Sequence, residues 1–432
     1  MNKNRLSALV AAGLLSGGLM ATSASAADLG GNCCADLEER IAELEATTAR
    51  KGNRKVSLTI SGWVAEQVTY WDDGHESNVY VTGIGKTLAS HFKFTGEAKI
   101  TPGWSAGYVL HVEANAADSS DINRNNDDAG NAIALLQSYW FVKSEQLGKL
   151  SVGQLSHASD NTAILVDGSG SLVPANWVHF DGLSFTPNNG GLAGAWANLA
   201  YCKAISAGFA GDCNGYPNNA VRYDTPTFAG FSLSASWGED DFWDVAARYA
   251  GEFGGFKLAA AVAYHETSEE KVLLGQLGLG VDASLVRRDS AYIQAGLYIQ
   301  HVPTGLFVYG AYGAEFDDST YQNPVVQANL TDGEKWYVKA GIRQRWSPLG
   351  HTVLYGEYSQ NNDLFTPGMA AAGVTGSELN QWGVGVVQEV DAAAMSFWLA
   401  YRNLEGDYSG VGVVNPNMDD LHIVKAGALI SF

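Results

Sequence analysis

The chain ends on Leu421-His-Ile-Val-Lys-Ala-Gly-Ala-Leu-Ile-Ser-Phe432, where apolar and polar residues alternate. Successive side chains of a β-strand point to opposite faces, so every second residue shares a face. The opposite face carries Lys425, Gly427 and Ser431. Such a strand closes either a soluble sandwich or a barrel embedded in lipid. The apolar face consists of Val424, Ala426, Ala428, Ile430 and Phe432.

The first 26 residues have the features of a secretory signal peptide. Lys3 and Arg5 form a short basic region, Leu6 to Met20 are apolar or small, and Ala24-Ser-Ala26 offers a cleavage site. We expect cleavage after Ala26. The mature chain has no second long apolar run, which excludes a helical membrane protein.

The composition is rich in glycine and aromatic residues and poor in charge. Glycine supplies 50 of 432 residues, aromatic residues 11% and charged residues 17%. Glycine permits tight turns, and Trp and Tyr favour membrane interfaces. The formal net charge is −20, and it becomes more negative when the basic leader is removed. An acidic chain is unsuited to nucleic acid, so we expect no nucleic-acid partner.

Residues 27–55 differ from the rest of the mature chain. Leu37, Ile41 and Leu44 recur at helical spacing among glutamates. This pattern predicts a short periplasmic helix, either a coiled-coil segment or a frayed surface helix, followed by a basic collar that ends at Lys55. Cys33 and Cys34 are adjacent, so a bridge between them would be strained, and interchain disulfides remain open.

Residues 56–432 read as β-hairpins in which short turns and long polar loops alternate. Proline and glycine mark the turns. This layout is typical of a transmembrane antiparallel β-barrel. We predict sixteen strands, with eighteen as the alternative, because the candidate pair flanking Pro187 to Gly191 is weak. The predicted turns are at 101–104, 145–148, 225–230, 252–255, 302–305, 347–350 and 391–394. The predicted loops are at 72–90, 117–131, 157–181, 267–288, 317–332, 361–377 and 405–419.

The leader, the pairs Ala27-Asp28 and Cys33-Cys34, the run Leu37 to Leu44 and the strand Lys55 to Gly62 resemble the general porins of alphaproteobacteria. The resemblance implies a homotrimeric outer-membrane porin whose third loop folds into the barrel. Residues 157–181 occupy that loop position. It also implies that the terminal Phe432 is read by the insertion machinery.

Several charged residues fall on the polar faces of predicted strands or in the third loop. Arginine on one wall and carboxylates on the loop would set a transverse field across a narrow pore. Ordinary lumen charges solvated by water are the alternative. Lys93 and Lys99 are further candidates for the lumen. The predicted pore-lining basic residues are Arg222, Arg248, Lys339, Arg343, Arg345 and Arg402, and the predicted constriction-loop acids are Asp160, Asp167 and Asp181.

Motifs that would indicate chemistry are incomplete. Gly85-Lys-Thr87 lacks the first glycine of a phosphate loop, and Asp121 to Asp127 lacks the glycine and glutamate of a calcium loop. His265-Glu266 lacks the second histidine of a zinc protease. We therefore expect no enzyme, no cofactor and no metal. In an exported chain, Cys202 and Cys213 are expected to form a disulfide across a loop.

The sequence therefore predicts a general diffusion porin, a passive channel for ions and small hydrophilic solutes. The expected surroundings are outer-membrane lipid and lipopolysaccharide, with peptidoglycan as a further partner of the N-terminal segment. Two alternatives are a substrate-selective channel and a barrel that acts mainly as a tether to the cell wall.

Overall fold

The computed structural model describes residues 55–202, 213, 216–239, 241–269, 285–414 and 417–432. The leader, the predicted helix and Cys33-Cys34 lie outside the described residues. None of the described helices is long and apolar enough to cross a membrane. The strands are β1 (Thr59–Asp72), β2 (Ser77–Thr82), β3 (His91–Thr101), β4 (Trp104–Asn115), β5 (Ala132–Ser144), β6 (Gly148–Leu155), β7 (Asn218–Asp224), β8 (Phe231–Gly238), β9 (Phe242–Phe253), β10 (Phe256–Glu269), β11 (Leu285–His301), β12 (Leu306–Asp317), β13 (Thr320–Tyr321), β14 (Gly333–Ser347), β15 (Gly350–Asn362), β16 (Val374–Val390), β17 (Met395–Gly410) and β18 (Leu421–Ser431).

Sixteen antiparallel strands close into a barrel, as the sequence predicts. β18 pairs with β1 from Ser431 opposite Trp63 to His422 opposite Asp72. The terminal Phe432 continues this pairing, because its backbone N–H and C=O both bond to Gly62 at 3.0 Å. β2 and β13 are short extra strands that pair with the ends of β1 and β11.

The strands alternate between an outward apolar face and an inward face. In β14, Lys335, Tyr337 and Lys339 are buried, whereas Val338 between them is exposed. In β17, Phe397 and Leu399 are exposed on the outside. A barrel in lipid needs this arrangement, because its exterior contacts acyl chains and its interior contacts water or inserted protein.

The seven predicted short turns all join consecutive strands at one rim, and longer connections lie mainly at the other. Two of these contain short helices, α1 (Pro324–Asn329) and α2 (Pro367–Ala371). Asn323 caps the first and Thr366 caps the second. The β8–β9 connection is short, and the sequence did not predict a long loop there.

The region around Pro187 to Gly191 contains no strand, which corrects the weakest strand prediction. Residues Gly191–Ala193 and Trp196–Leu199 form 3-10 turns instead. Their apolar side chains do not alternate against a neighbouring strand. They pack into a cluster with residues of β1, β16, β17 and β18, including Trp71, Leu404 and Leu421. The connection from β6 to β7 consequently runs over residues 156–217, well beyond the predicted 157–181.

Candidate functional site

Residues 156–202, here called the inserted loop, fill much of the barrel. Ala163, Ala175 and Leu199 are completely buried, and so is the ring of Trp177. The wall makes room through glycines: a Cβ on Gly313 of β12 would stand 2.2 Å from the Tyr292 hydroxyl and 2.9 Å from the Trp177 ring. The loop therefore sits against a wall shaped to receive it.

Two of the predicted basic residues hold the start of the inserted loop. Arg222 donates to the carbonyls of Ser156 (2.7 Å) and His157 (3.0 Å) and pairs with Asp224. Arg248 donates to the carbonyl of Ala158 at 2.6 Å. Guanidinium groups suit this task because each presents several donors in a fixed geometry.

A third basic residue holds the middle of the loop. The Lys339 ammonium lies 2.6 Å from the Asp167 carboxylate and 2.7 Å from the carbonyl oxygen of Ala175. Both charged side chains are buried, with relative exposures of 0% and 1%. The ammonium also lies 5.7 Å from the ring of Tyr309. This buried pair fixes the loop to β14.

The end of the loop is held by a four-residue charge network. Arg402 pairs with Asp181 at 2.8 Å and with Glu357 at 2.9 Å, and Lys425 also contacts Asp181. Gln67 of β1 donates to the same carboxylate. Burial by itself raises the pKa of Asp181, but Lys425 and Arg402 outweigh it, so the pKa lies below its usual value.

The third predicted loop acid, Asp160, has a different environment. It is 2% exposed and accepts a hydrogen bond from Ser156. Burial raises its pKa to about 6, although His157 and Arg222 nearby act in the opposite direction. Asp160 therefore lies at the base of the loop, among groups that anchor it.

The remaining predicted basic residues lie near the short-turn rim. Arg343 makes a bidentate pair with Glu389 at 3.0 and 2.8 Å and lines a cavity of ≈ 280 Å³ beside the loop at Asp167 and Pro174. Arg345 pairs with Asp391 at 2.7 Å, and each side chain is about half exposed. The structure does not bring Arg345 to the inserted loop.

The opposite wall, β3 to β6, is open towards the short turns, whereas His91, His111, Glu113 and Leu155 towards the long loops are buried. None of the hydrogen bonds or ion pairs that hold the inserted loop within the described residues involves a lumen-facing side chain of β3, β4 or β5. Lys93, Lys149 and Tyr139 on this wall are partly exposed, and Lys99 and Lys143 are exposed. Space for solutes therefore remains on this side of the lumen.

Three lysines of the open wall lie in one row near the short-turn rim. Lys99 is opposite Ser105, Ser105 is opposite Lys143, and Lys143 is opposite Lys149. Lys149 is in turn opposite Asp224, whose partner Arg222 reaches the inserted loop, so the row faces the lumen. Like charges that lie directly opposite each other destabilise a sheet, so a contribution to the stability of the wall does not explain this row of lysines.

The sequence analysis did not select several side chains of the wall that holds the inserted loop. Lys335, which lies 5.1 Å from the Trp177 ring, and Glu357, Lys425 and Asp244 were not selected as site residues. Each lies on the polar face of an alternating strand, and that signal was available. The lumen tyrosines Tyr292, Tyr298, Tyr309, Tyr337 and Tyr355 are all buried, so they offer no exposed aromatic track to solutes.

Cys202 and Cys213 form the predicted disulfide. Both are buried against Tyr292 of β11, so the bridge joins the return of the β6–β7 connection to the inside of the wall.

His157 contacts both a serine and an aspartate, as the residues of a hydrolase triad do. Its Nδ1 lies 2.5 Å from Asp244 and 3.3 Å from the Ser159 hydroxyl. In a triad the imidazole uses different nitrogens for the two partners. Here both partners share Nδ1, and Ser159 donates to Asp244 instead. The arrangement is suited to anchoring the loop.

Comparison with known proteins agrees with this architecture. The chain matches the family model of Gram-negative porins over residues 7–408. No curated protein sequence matches the chain. Similar solved structures include the anion-selective porin from Comamonas acidovorans (14% identity, 87% of this chain and 100% of that chain, TM-score 0.55). OmpT, an outer membrane protein of Vibrio cholerae, has 12% identity, 89% and 100% coverage and a TM-score of 0.53. Salmonella typhi OmpF in complex with daunomycin has 13% identity, 88% and 98% coverage and a TM-score of 0.52. The chain therefore belongs to the Gram-negative porins and is a diffusion channel of the outer membrane.

Proposed function

We propose that solutes cross this porin along the open wall of β3 to β6 and that the channel prefers anions. The observation that carries the proposal is the row of Lys99, Lys143 and Lys149. Lys99 and Lys143 have no acidic partner within 4.0 Å among the described residues. Lys149 shares Asp224 with Arg222.

The net charge of the lumen path differs in sign from that of the chain. On the wall that holds the inserted loop, carboxylates at 2.6–2.9 Å compensate Lys339, Arg343 and Arg402. On the open side, Glu97 of β3 and the buried Glu113 of β4 share the lumen face with the lysine row. Charges along a narrow aqueous path set local ion concentrations more strongly than distant loop charges do. The structurally similar Comamonas protein is described as anion-selective, which is consistent with this proposal.

The test is the reversal potential of the purified protein in a planar bilayer under a salt gradient. We expect an anion-selective potential, and K143Q/K149Q should shift it towards cation selectivity. R345Q is the matched control, because it also removes positive charge at the short-turn rim but from an exposed pair with Asp391. A cation-selective wild type, or equal shifts in the two variants, would overturn the proposed path.

We further propose a homotrimer within the alphaproteobacterial branch of the family, with the apolar outer face in lipid and lipopolysaccharide. The N-terminal residues that resemble that branch support the assignment. The Vibrio cholerae OmpT, which has been described in a trimer form, supports the assembly. Mass measurement by light scattering in detergent should give three chains per particle, and a monomer would contradict this.

A role for residues 28–55 in peptidoglycan binding is a separate proposal, supported by the basic collar that ends at Lys55. Deletion of this segment should weaken cosedimentation with peptidoglycan and leave conductance unchanged. Undiminished cosedimentation would show that the segment does not tether the barrel.

A further inference from the structure

We propose that His157, Asp244 and His265 form a binding site for a divalent transition metal of the zinc class, which clamps the inserted loop to the barrel wall. One potential ligand atom from each residue lies within 4.8 Å of the others. The site is independent of the permeation path and of its ion preference.

The three residues come from different elements that meet at the base of the loop. Asp244 of β9 and His265 of β10 are direct cross-strand partners on the lumen face. His157 is the second residue of the inserted loop. All three side chains are enclosed, with exposures of 0% for both histidines and 1% for Asp244. A bound ion would therefore connect the loop to two neighbouring strands.

His265 is buried, and the hydrogen bonds of the described residues do not account for its imidazole. Neither of its ring nitrogens makes a hydrogen bond within the described part of the chain. Its Nδ1 lies 4.0 Å from the nearer Asp244 oxygen, too far for such a bond. Buried polar side chains almost always have a partner, and an imidazole nitrogen without one has a lone pair available for a metal.

The surroundings hold two of the donors in place. The ring of Phe242 stacks on His265 with centroids 5.4 Å apart. The backbone N–H and the hydroxyl of Ser159 each donate to Asp244 Oδ2 at 2.7 Å, and Ser236 donates to the other oxygen. Outer hydrogen bonds of this kind orient the carboxylate ligands of metal sites.

Two imidazoles and one carboxylate are a ligand set that suits Zn²⁺ and related ions. With bonds of about 2.0–2.2 Å to a shared ion, His265 Nδ1 and Asp244 Oδ2, which are now 4.0 Å apart, would approach each other, whereas His157 Nδ1 and Asp244 Oδ2, now 2.5 Å apart, would separate. The hydrogen bond from His157 Nδ1 to Asp244 would be given up. That proton would move to the other ring nitrogen, so that a neutral imidazole presents its lone pair. A water molecule can complete the coordination.

The first experiment is equilibrium dialysis of the full-length protein with Zn²⁺ after chelator treatment. We expect one ion per chain in the wild type. H265Q should weaken binding by more than about 100-fold, the upper end of the loss caused by removing an outer-shell partner. H301Q is the matched control, because His301 lies at an exposed turn and contacts Thr304. Folded wild type that binds no zinc, or undiminished binding by H265Q, would overturn the proposal.

A second measurement does not depend on the folding of a variant. X-ray absorption at the zinc edge of the wild type should show two imidazole ligands and one carboxylate. A shell of oxygen ligands alone would refute the site. Conductance of each preparation verifies that the barrel is folded, and it separates a failure of this proposal from a failure of the channel assignment.

Discussion

The pair between Lys339 and Asp167 gives a quantitative test of how the inserted loop is held. We consider Lys339→Met, which keeps most of the side-chain volume and removes the charge. The substitution removes the Lys339 ammonium, which lies 2.6 Å from the Asp167 carboxylate and 2.7 Å from the Ala175 carbonyl oxygen. Loss of one member of a buried ion pair costs about 3–5 kcal/mol. Because water enters a porin lumen, we expect about 3 kcal/mol.

A double-mutant cycle separates the pair from other effects of the substitution. D167N should also cost about 3 kcal/mol, since it leaves the ammonium buried without its counter-charge. K339M/D167N removes both charges, so its cost should be close to that of one single variant. The coupling energy is then about 2–3 kcal/mol. The control is R345M, which breaks the exposed pair with Asp391 and should cost about 0–1 kcal/mol.

The assay is reversible urea unfolding in detergent micelles, followed by tryptophan fluorescence. Trp177 lies in the same part of the loop as Asp167, so its signal reports the loop as well as the barrel. Single-channel recordings of K339M should show more current noise, because the middle of the loop is released. Additive costs within about 0.5 kcal/mol, or an equal cost for R345M, would refute the reasoning.

Three further predictions concern single positions. Burial raises the pKa of Asp160 to about 6. The folded chain therefore takes up a proton at Asp160 between pH 7 and 5, whereas the unfolded chain takes it up only at lower pH. The free energy of unfolding consequently increases as the pH falls through this range. D160N should remove that part of the change in urea midpoint, and an unaltered pH dependence would contradict it. Gly313→Ala should cost about 1–3 kcal/mol because its Cβ would meet Tyr292 and Trp177, whereas Gly310→Ala, whose nearest neighbour is 3.8 Å away, should be nearly neutral in the same unfolding assay. Phe432→Ala should reduce the amount of assembled protein in the outer membrane more than Ile430→Ala does, while both variants refold equally in detergent. Equal amounts of the two variants in the outer membrane would show that the insertion machinery does not recognise the terminal ring.

The barrel was predictable because its signals are local. Alternation within a strand and Pro or Gly at a turn depend on neighbouring residues, and all seven short turns agree with the structure. The 3-10 turns near Pro187 were mistaken for strands because apolar residues there are also closely spaced. Their partners, such as Tyr408, are more than 200 residues away, and a local pattern cannot reveal them.

The site was predictable in its residue types but not in its pairings. Arg402 and Lys339 were selected from the polar faces of strands, and Asp160, Asp167 and Asp181 were selected from the loop position. Which charge meets which depends on how a loop of more than 40 residues folds inside the barrel. The pairs Lys339–Asp167 and Arg402–Asp181 join residues 172 and 221 positions apart. No sequence spacing encodes such contacts.

The way the loop is seated has a consequence for the proposed ion path. A buried lysine or arginine costs much free energy unless it is compensated, and the wall that receives the loop pairs Lys339, Arg343 and Arg402 with carboxylates. The open wall contacts water, where an unpaired ammonium costs little, and Lys99 and Lys143 can remain uncompensated there. The barrel thus carries paired charges on the wall that holds the inserted loop and an excess of positive charge on the open wall. The proposed preference for anions follows from where the loop lies, and a net charge of −20 for the whole chain does not determine it.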